Sequence, residues 1–115
     1  MTFDPMDQGL DDDEVEARVD EAITDNDVVL FMKGDARMPQ CGYSKRAVGL
    51  IGQYREDFET VDTLESLEEY RSALSAHSDW ETTPQAYVDG EFVGGSDVLA
   101  ELDERGELEA TLAGE

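Results

Sequence analysis

The fold is decided by the stretch Val28-Val29-Leu30-Phe31-Met32-Lys33-Gly34-Asp35-Ala36-Arg37-Met38-Pro39-Gln40-Cys41-Gly42-Tyr43-Ser44. Its short apolar beginning, over 28–32, is rich in β-branched residues and predicts a buried strand rather than a helix. A loop containing glycine and proline follows over 34–40. Beyond it, apolar side chains recur at helical spacing, at Ala47, Val48, Leu50, Ile51 and Tyr54. The pattern therefore predicts that Cys41 lies at or just before the N-terminus of a helix.

The segments on either side of this stretch alternate between helical and strand patterns. Ser66-Leu67-Glu68-Glu69 resembles a capping box, and Ser96 is predicted as the N-cap of the last long helix. Asp89-Gly90 between two short apolar runs predicts a tight hairpin. The predicted elements are helix 11–24, strand 28–32, a helix from 41, strand 58–61, helix 66–77, strands 86–88 and 91–93, and helix 96–106 with one more turn at 108–112.

The chain is strongly acidic, with 30 Asp and Glu against 8 Lys and Arg and a formal net charge of -22 over 115 residues. Such a surface repels phosphate and anionic lipid, so the composition argues against nucleic acid and membrane partners. Residues 1–13 lack the basic and apolar regions of a signal peptide. We expect a flexible acidic tail over 1–10 and a single domain over 11–115. The excess of carboxylates is typical of halophilic proteins, because molar salt screens their mutual repulsion.

Cys41 is the chain's one cysteine, and it lies in a stretch without carboxylates, 36–55, that contains several Lys and Arg residues. Nearby positive charge stabilises a thiolate, the reactive and metal-binding form of cysteine. A free cysteine is more commonly a small buried apolar residue, but the basic, proline-containing setting favours a reactive thiol here. A single cysteine excludes an intrachain disulfide and indicates a reducing, cytoplasmic setting. An intermolecular disulfide, or a metal centre shared by two molecules, stays open.

Several linked motifs resemble those of one family. Phe31-Met32-Lys33-Gly34 precedes Pro39-Gln40-Cys41-Gly42-Tyr43-Ser44, and Trp80-Glu81-Thr82-Thr83-Pro84-Gln85 precedes Tyr87-Val88-Asp89-Gly90-Glu91-Phe92-Val93-Gly94-Gly95-Ser96-Asp97. Together they resemble the signatures of the monothiol glutaredoxins, whose active site usually reads Cys-Gly-Phe-Ser, and the resemblance spans roughly 14–110. It implies a thioredoxin-like α/β fold, with a central mixed four-stranded sheet flanked by helices.

The resemblance implies a site for glutathione, or for an equivalent small thiol, beside the cysteine. In that site Lys33 and Arg71 hold the glycine carboxylate, and the backbone of Thr83, ahead of a cis Pro84, pairs with the cysteinyl part. The N-terminus of the last long helix binds the γ-glutamyl end. The implied thiol-binding residues are Lys33, Tyr43, Arg71, Thr83, Pro84, Gly95, Ser96 and Asp97.

The resemblance also implies a 2Fe–2S cluster, with Cys41 as both the reactive thiol and the metal ligand. Each protein and each bound thiol supplies one sulfur ligand, so the implied assembly is a homodimer bridged by the cluster. The implied partners are iron–sulfur recipient proteins and a BolA-like protein. The alternative reading is an enzyme, a glutathione-dependent oxidoreductase in which Cys41 attacks mixed disulfides and a second thiol molecule resolves the product.

Three positions depart from the family pattern. Tyr43 replaces the usual phenylalanine and is typical of dithiol glutaredoxins. Ser96 replaces a second cysteine, which removes any resolving thiol within the chain, and Glu81 replaces a proline in the tryptophan loop. None of these changes removes a residue that the proposed cluster needs. The sequence leaves open which small thiol the protein uses.

Overall fold

The structure, a computed structural model, describes residues 10–114 of the chain. The predicted tail over 1–10 lies outside this range except for its last residue. Leu10 is half-buried against the hydrophobic core, and its N–H donates a hydrogen bond to Ser66 Oγ at 2.6 Å. Leu10 therefore packs with the folded domain.

The described residues form helices and strands in the predicted order. Within this range, no helix has the length and apolar character needed to cross a membrane. A single 3-10 turn, Leu64–Ser66, precedes the third helix. The elements are α1 (Asp12–Asp25), β1 (Val28–Met32), α2 (Gly42–Gly52), β2 (Glu59–Asp62), α3 (Leu67–Ser78), β3 (Gln85–Val88), β4 (Glu91–Gly94), α4 (Ser96–Glu104) and α5 (Leu108–Leu112).

The strands form one mixed sheet in the order β2-β1-β3-β4. Strand β1 pairs in parallel with β2 and antiparallel with β3, and β3 pairs antiparallel with β4. The parallel pair needs a crossover, which α2 supplies, whereas β3 and β4 are joined by a tight turn. In that turn Asp89 and Gly90 both have positive φ, 50° and 84°, as a hairpin of this kind requires. The predicted mixed four-stranded sheet flanked by helices is confirmed.

Strand β1 contributes to both hydrophobic cores. All five of its residues are buried, and their side chains alternate between the two faces of the sheet. Val28, Leu30 and Met32 pack in one cluster with residues of α2, α4 and α5. Val29 and Phe31 pack in the other cluster with residues of α1 and α3. Burial on both faces explains why this strand is a continuous apolar run rather than an alternating one.

The two predicted helix caps differ in outcome. Ser66 is the N-cap residue of α3, as the capping-box pattern indicates, but its hydroxyl makes no capping hydrogen bond and instead accepts one from the Leu10 N–H. Ser96 is the first helical residue of α4, and Gly95 takes the N-cap position. A Cβ on Gly95 would lie 3.1 Å from the carbonyl oxygen of Pro84, so this N-cap position packs closely against the loop that contains the cis peptide bond.

The loop between β1 and α2 is closed by backbone and side-chain contacts. The Gln40 N–H donates to the Lys33 carbonyl at 2.8 Å, and Asp35 Oδ1 accepts hydrogen bonds from two N–H groups at the turn. Gly34 has a φ of 87°, and a Cβ there would lie 2.5 Å from the Met38 carbonyl oxygen. This position therefore requires glycine for its backbone conformation and for space.

We predict that Gly34→Ala destabilises the domain. The left-handed backbone alone costs about 1–3 kcal/mol for a residue with a side chain, and the contact with Met38 adds to it. The matched control is Gly49→Ala in α2, where an added Cβ meets nothing within 4 Å and helix propensity favours alanine by about 0.5–1 kcal/mol. Urea unfolding of both variants measures the two changes. Equal midpoints for the two variants would contradict this account of the loop.

Candidate functional site

Cys41 is the N-cap residue of α2 and directly follows the closed loop. Its backbone is extended, with φ -152° and ψ 145°, and its carbonyl accepts a hydrogen bond from the Lys45 N–H at 3.0 Å. No side chain caps this helix, so the first N–H groups of α2 lie beside the thiol. The half-buried Cys41 thus occupies the helix N-terminus that the sequence predicts.

Several groups act on the protonation of Cys41. Burial alone raises the pKa of its thiol, but hydrogen bonds from the backbone and hydroxyl of Ser44, a hydrogen bond from the Tyr43 backbone and the charge of Lys33 outweigh it. The net result is a pKa below the ordinary value of a cysteine. These are the stabilising features of a helix N-terminus and a nearby cation. The site therefore favours the thiolate.

Ser44 links the thiol to the end of β1. Its side chain is buried, and its Oγ accepts a hydrogen bond from the Lys33 N–H at 3.1 Å. The same hydroxyl stabilises the thiolate of Cys41. The sequence analysis did not select Ser44 as a site residue, although its place three residues after Cys41 in the motif was a usable signal.

A cleft of about 300 Å³ opens beside Tyr43 at the start of α2. The loop that ends in the cis Thr83-Pro84 peptide forms one side, and the N-terminus of α4 forms another. The structure thus brings six of the predicted thiol-binding residues together around one cavity. The lining residues are Tyr43, Trp80, Thr82, Thr83, Pro84, Gly95, Ser96, Asp97 and Val98.

The α4 side of the cleft presents a helix N-terminus. Ser96 is buried as the first residue of the helix, and no side chain caps this end. Asp97 is exposed and lies 3.8 Å from an Arg46 guanidinium nitrogen, which links α4 to α2. Backbone N–H groups at such an end favour a carboxylate ligand.

The two predicted carboxylate-binding cations lie in different surroundings. Lys33 is half-buried at the end of β1, where its charge acts on Cys41. Arg71 lines a separate groove that meets the cleft at Thr82, and its guanidinium lies 2.8 Å from the carboxylate of Glu68. A ligand carboxylate would therefore compete with Glu68 for Arg71.

Gln85 organises the loop that forms one side of the cleft. Its buried amide nitrogen donates to the carbonyls of Trp80 and Thr82, at 2.8 and 3.0 Å, and its amide oxygen accepts from the Tyr87 hydroxyl at 2.9 Å. Trp80 also packs against Phe92, with ring centroids 5.7 Å apart. Neither Gln85 nor Trp80 is among the site residues predicted from the sequence, although both lie in the quoted motif Trp80-Glu81-Thr82-Thr83-Pro84-Gln85, which is a usable signal.

The comparisons with known proteins agree with this geometry. The glutaredoxin family model matches residues 28–93. An uncharacterized monothiol glutaredoxin of Synechocystis, described as ycf64-like, is 46% identical over 99 residues, which cover 86% of this chain and 92% of the relative. The monothiol glutaredoxin ycf64 of Porphyra purpurea, also described as uncharacterized, is 43% identical over 99 residues with the same coverage of 86% and 92%.

Solved structures show the same fold. The solution structure of reduced poplar apo GrxS14 is 40% identical and superposes with a TM-score of 0.74, covering 86% of this chain and 90% of that protein. Oxidized glutaredoxin 2 from Chlamydomonas reinhardtii superposes with a TM-score of 0.78 over 90% of this chain and 95% of its own. At 21% identity, this second likeness concerns the fold alone.

We predict that Ser44→Ala raises the pKa of the Cys41 thiol, because the hydroxyl that stabilises the thiolate is lost. Lys33→Gln should also raise this pKa, but by less, since the charge of Lys33 is a smaller cause than the Ser44 hydroxyl. The rate of alkylation by iodoacetamide, measured against pH, reports the thiolate fraction. Because the folded protein has the lowered pKa, its midpoint should lie below that of the urea-unfolded chain. Superimposable profiles for the three folded proteins would contradict this assignment.

Proposed function

This chain belongs to the monothiol glutaredoxins, and on that premise we propose that it binds a small thiol beside Cys41 and assembles or transfers a 2Fe–2S cluster. The observation that carries the proposal is a lone, partly exposed thiol with a lowered pKa, located two residues before Tyr43, which lines the cleft. A cluster ligand must be a thiolate, and Cys41 is the one cysteine in the chain.

The cleft suits glutathione or a thiol of similar chemistry. The uncapped N-terminus of α4 favours a carboxylate at the γ-glutamyl end. Thr83, ahead of the cis peptide bond, lines the cleft, and its backbone would pair with the cysteinyl part of the thiol. Lys33 and Arg71 would supply positive charge for the carboxylate at the other end. The Thr83 hydroxyl oxygen is buried and lacks a hydrogen-bond partner within the described residues. An unsatisfied polar atom on the wall of a cleft favours a ligand there.

The donor set also suits a cluster shared by two copies. One thiolate from each protein and one from each bound thiol make the four sulfur ligands that a 2Fe–2S cluster takes. In this arrangement Cys41 contributes its sulfur, and Lys33 keeps positive charge next to an anionic group. The cluster is then cargo, which passes to iron–sulfur recipient proteins, with a BolA-like protein as a further partner. A reduced thiol of this kind fits the reducing conditions of the cytoplasm.

The lowered pKa of Cys41 also favours a second function, the reduction of mixed disulfides. The Cys41 thiolate attacks the glutathione sulfur of a protein–glutathione disulfide and releases the protein thiolate. A second glutathione thiolate then attacks the Cys41–glutathione disulfide, which regenerates Cys41 and yields oxidised glutathione. The chain has no second cysteine, so the resolving thiol comes from solution.

We predict that Cys41→Ser abolishes cluster binding and leaves the fold intact, because serine supplies no thiolate. Anaerobic reconstitution with iron, sulfide and glutathione, followed by visible absorption and iron analysis, measures the bound cluster. Tyr43→Phe is the matched control, since it restores the usual family motif and should retain the cluster. Normal absorption from Cys41→Ser would contradict the proposal. A colourless wild-type protein that reduces mixed disulfides would establish the second function instead.

We predict that Arg71→Ala weakens binding of glutathione and that Glu68→Gln strengthens it. A hydrogen bond between charged groups contributes about 1.5–3 kcal/mol when well formed, and the partial exposure of Arg71 lowers this, so a change of about tenfold or less is expected. Glu68→Gln removes the carboxylate that now pairs with Arg71. Calorimetric titration of the apo protein with glutathione gives both affinities. Unchanged affinity in both variants would remove Arg71 from the site.

A further inference from the structure

The cations around Cys41 differ from most others in this acidic chain. Within residues 10–114, Lys33, Arg37 and Lys45 form no ion pair, although the whole chain carries 30 carboxylates. Elsewhere the cations mostly face carboxylates. The paired ones are Arg46 with Asp97, Arg55 with Asp27 and Asp57, Arg71 with Glu68, and Arg105 with Glu101.

The carboxylates closest to this loop are directed at backbone groups. Asp35 Oδ1 accepts hydrogen bonds from the N–H groups of Arg37 and Met38, at 2.9 and 2.8 Å. Asp62 Oδ1 accepts from the N–H groups of Gly34 and Leu64, both at 3.0 Å. These acids hold the loop in shape rather than pairing with the cationic side chains. Among residues 10–114, the guanidinium of the exposed Arg37 therefore has no carboxylate partner.

Four exposed residues flank Cys41 in the chain within eight positions, and we call this set the collar: Arg37, Met38, Tyr43 and Lys45. Arg37 and Met38 lie on the closed loop that leads into Cys41. Lys45 lies one helical turn after Cys41, on the same side of α2. Met38 and Tyr43 are large apolar side chains with exposed fractions of 67% and 64%. The collar thus combines positive charge with exposed apolar area.

The site already described does not use these two charges. Lys33 is the cation that acts on the Cys41 thiol, and Lys33 and Arg71 are the cations proposed to meet the small thiol's carboxylate. Arg37 and Lys45 take part in neither interaction. Exposed cations that the site does not use, in a chain of net charge -22, favour an anionic partner outside the cleft.

We propose that the collar docks an acidic segment of a client protein next to Cys41. This inference rests on the proposed function, since the client is a protein that exchanges a thiol or a cluster at that cysteine. At physiological salt, screening limits the interactions of exposed charges to a range of about 8 Å. The attraction between a docked acidic peptide and the nearby collar is therefore stronger than the repulsion from the more distant acidic surface. A second copy presents the same positive collar, so like charge disfavours it as the occupant of the collar in the cluster-free protein; in the proposed homodimer the sulfur ligands of the cluster join the two copies instead.

The test measures binding of labelled peptides by fluorescence anisotropy, at physiological salt and at molar salt. Each peptide carries serine at the client's cysteine position, so that binding involves no thiol chemistry, small thiol or cluster. One peptide has glutamates around the serine, a second has glutamines at those positions, and a third has lysines. A single-stranded oligonucleotide tests phosphate as the alternative anion.

The variants are Arg37→Gln with Lys45→Gln, and Arg105→Gln as the control. Arg105 is exposed and follows the C-terminal end of α4. Asp97, at the opposite end of α4, is the residue that contacts α2 near the collar. Its substitution removes a positive charge without touching the collar. Thermal melts of all variants check that the fold is retained.

We expect the glutamate peptide to bind most tightly, the double variant to weaken it by about threefold to tenfold, and molar salt to remove the difference. Arg105→Gln should have little effect. The net charge alone predicts the reverse order, with the lysine peptide binding best, and that result would overturn the proposal. Tighter binding of the oligonucleotide, or self-association that depends on Arg37 and Lys45, would overturn it as well. These outcomes do not depend on whether the protein binds a cluster.

Discussion

The attachment of the α2 N-terminus to the end of β1 is the constraint on which the site depends. Strand β1 is buried on both faces, so the hydrophobic cores hold its end in place. The hydrogen bond from Gln40 to Lys33 and the turn at Gly34 then bring the chain back beside that end. Cys41 consequently meets a helix N-terminus and a cation together. Both stabilise a thiolate: Cys41 is itself the N-cap residue of α2, and the closed loop brings it back beside Lys33.

The stretch around that thiol differs in charge from the rest of this acidic protein. An acidic surface raises the energy of any additional anion, including a thiolate, a glutathione carboxylate and an anionic cluster. The stretch without carboxylates around Cys41 offsets this repulsion locally, where the distance is short and screening is weakest. Arg71 differs, because it remains paired with Glu68 and therefore binds a ligand only in competition. The excess of carboxylates thus explains both why positive charge is needed near Cys41 and why Arg71 already has a partner.

Local patterns in the chain predicted the element order, the hairpin at Asp89-Gly90 and the position of Cys41 at a helix start. Local patterns failed where a distant residue competed for the same group. The Ser66 hydroxyl appears in a capping motif, yet it meets Leu10, which is 56 residues away. Ser96 has the chemistry of an N-cap, yet Gly95, which packs closely against Pro84, takes that position one residue earlier.

The sequence by itself determined the family, the position of Cys41 at a helix start and most of the residues around the cleft, because these are carried by short motifs at fixed spacing. The tertiary structure alone decided which of those residues share a cavity, which cations are already paired, and which buried groups hold the loops. Thr63 illustrates this, since its buried hydroxyl donates a hydrogen bond to the carbonyl of Met32, which is 31 residues away in the chain. Hydrogen bonds and ion pairs depend on distances of about 3 Å between atoms, and only packing of the whole chain sets those distances.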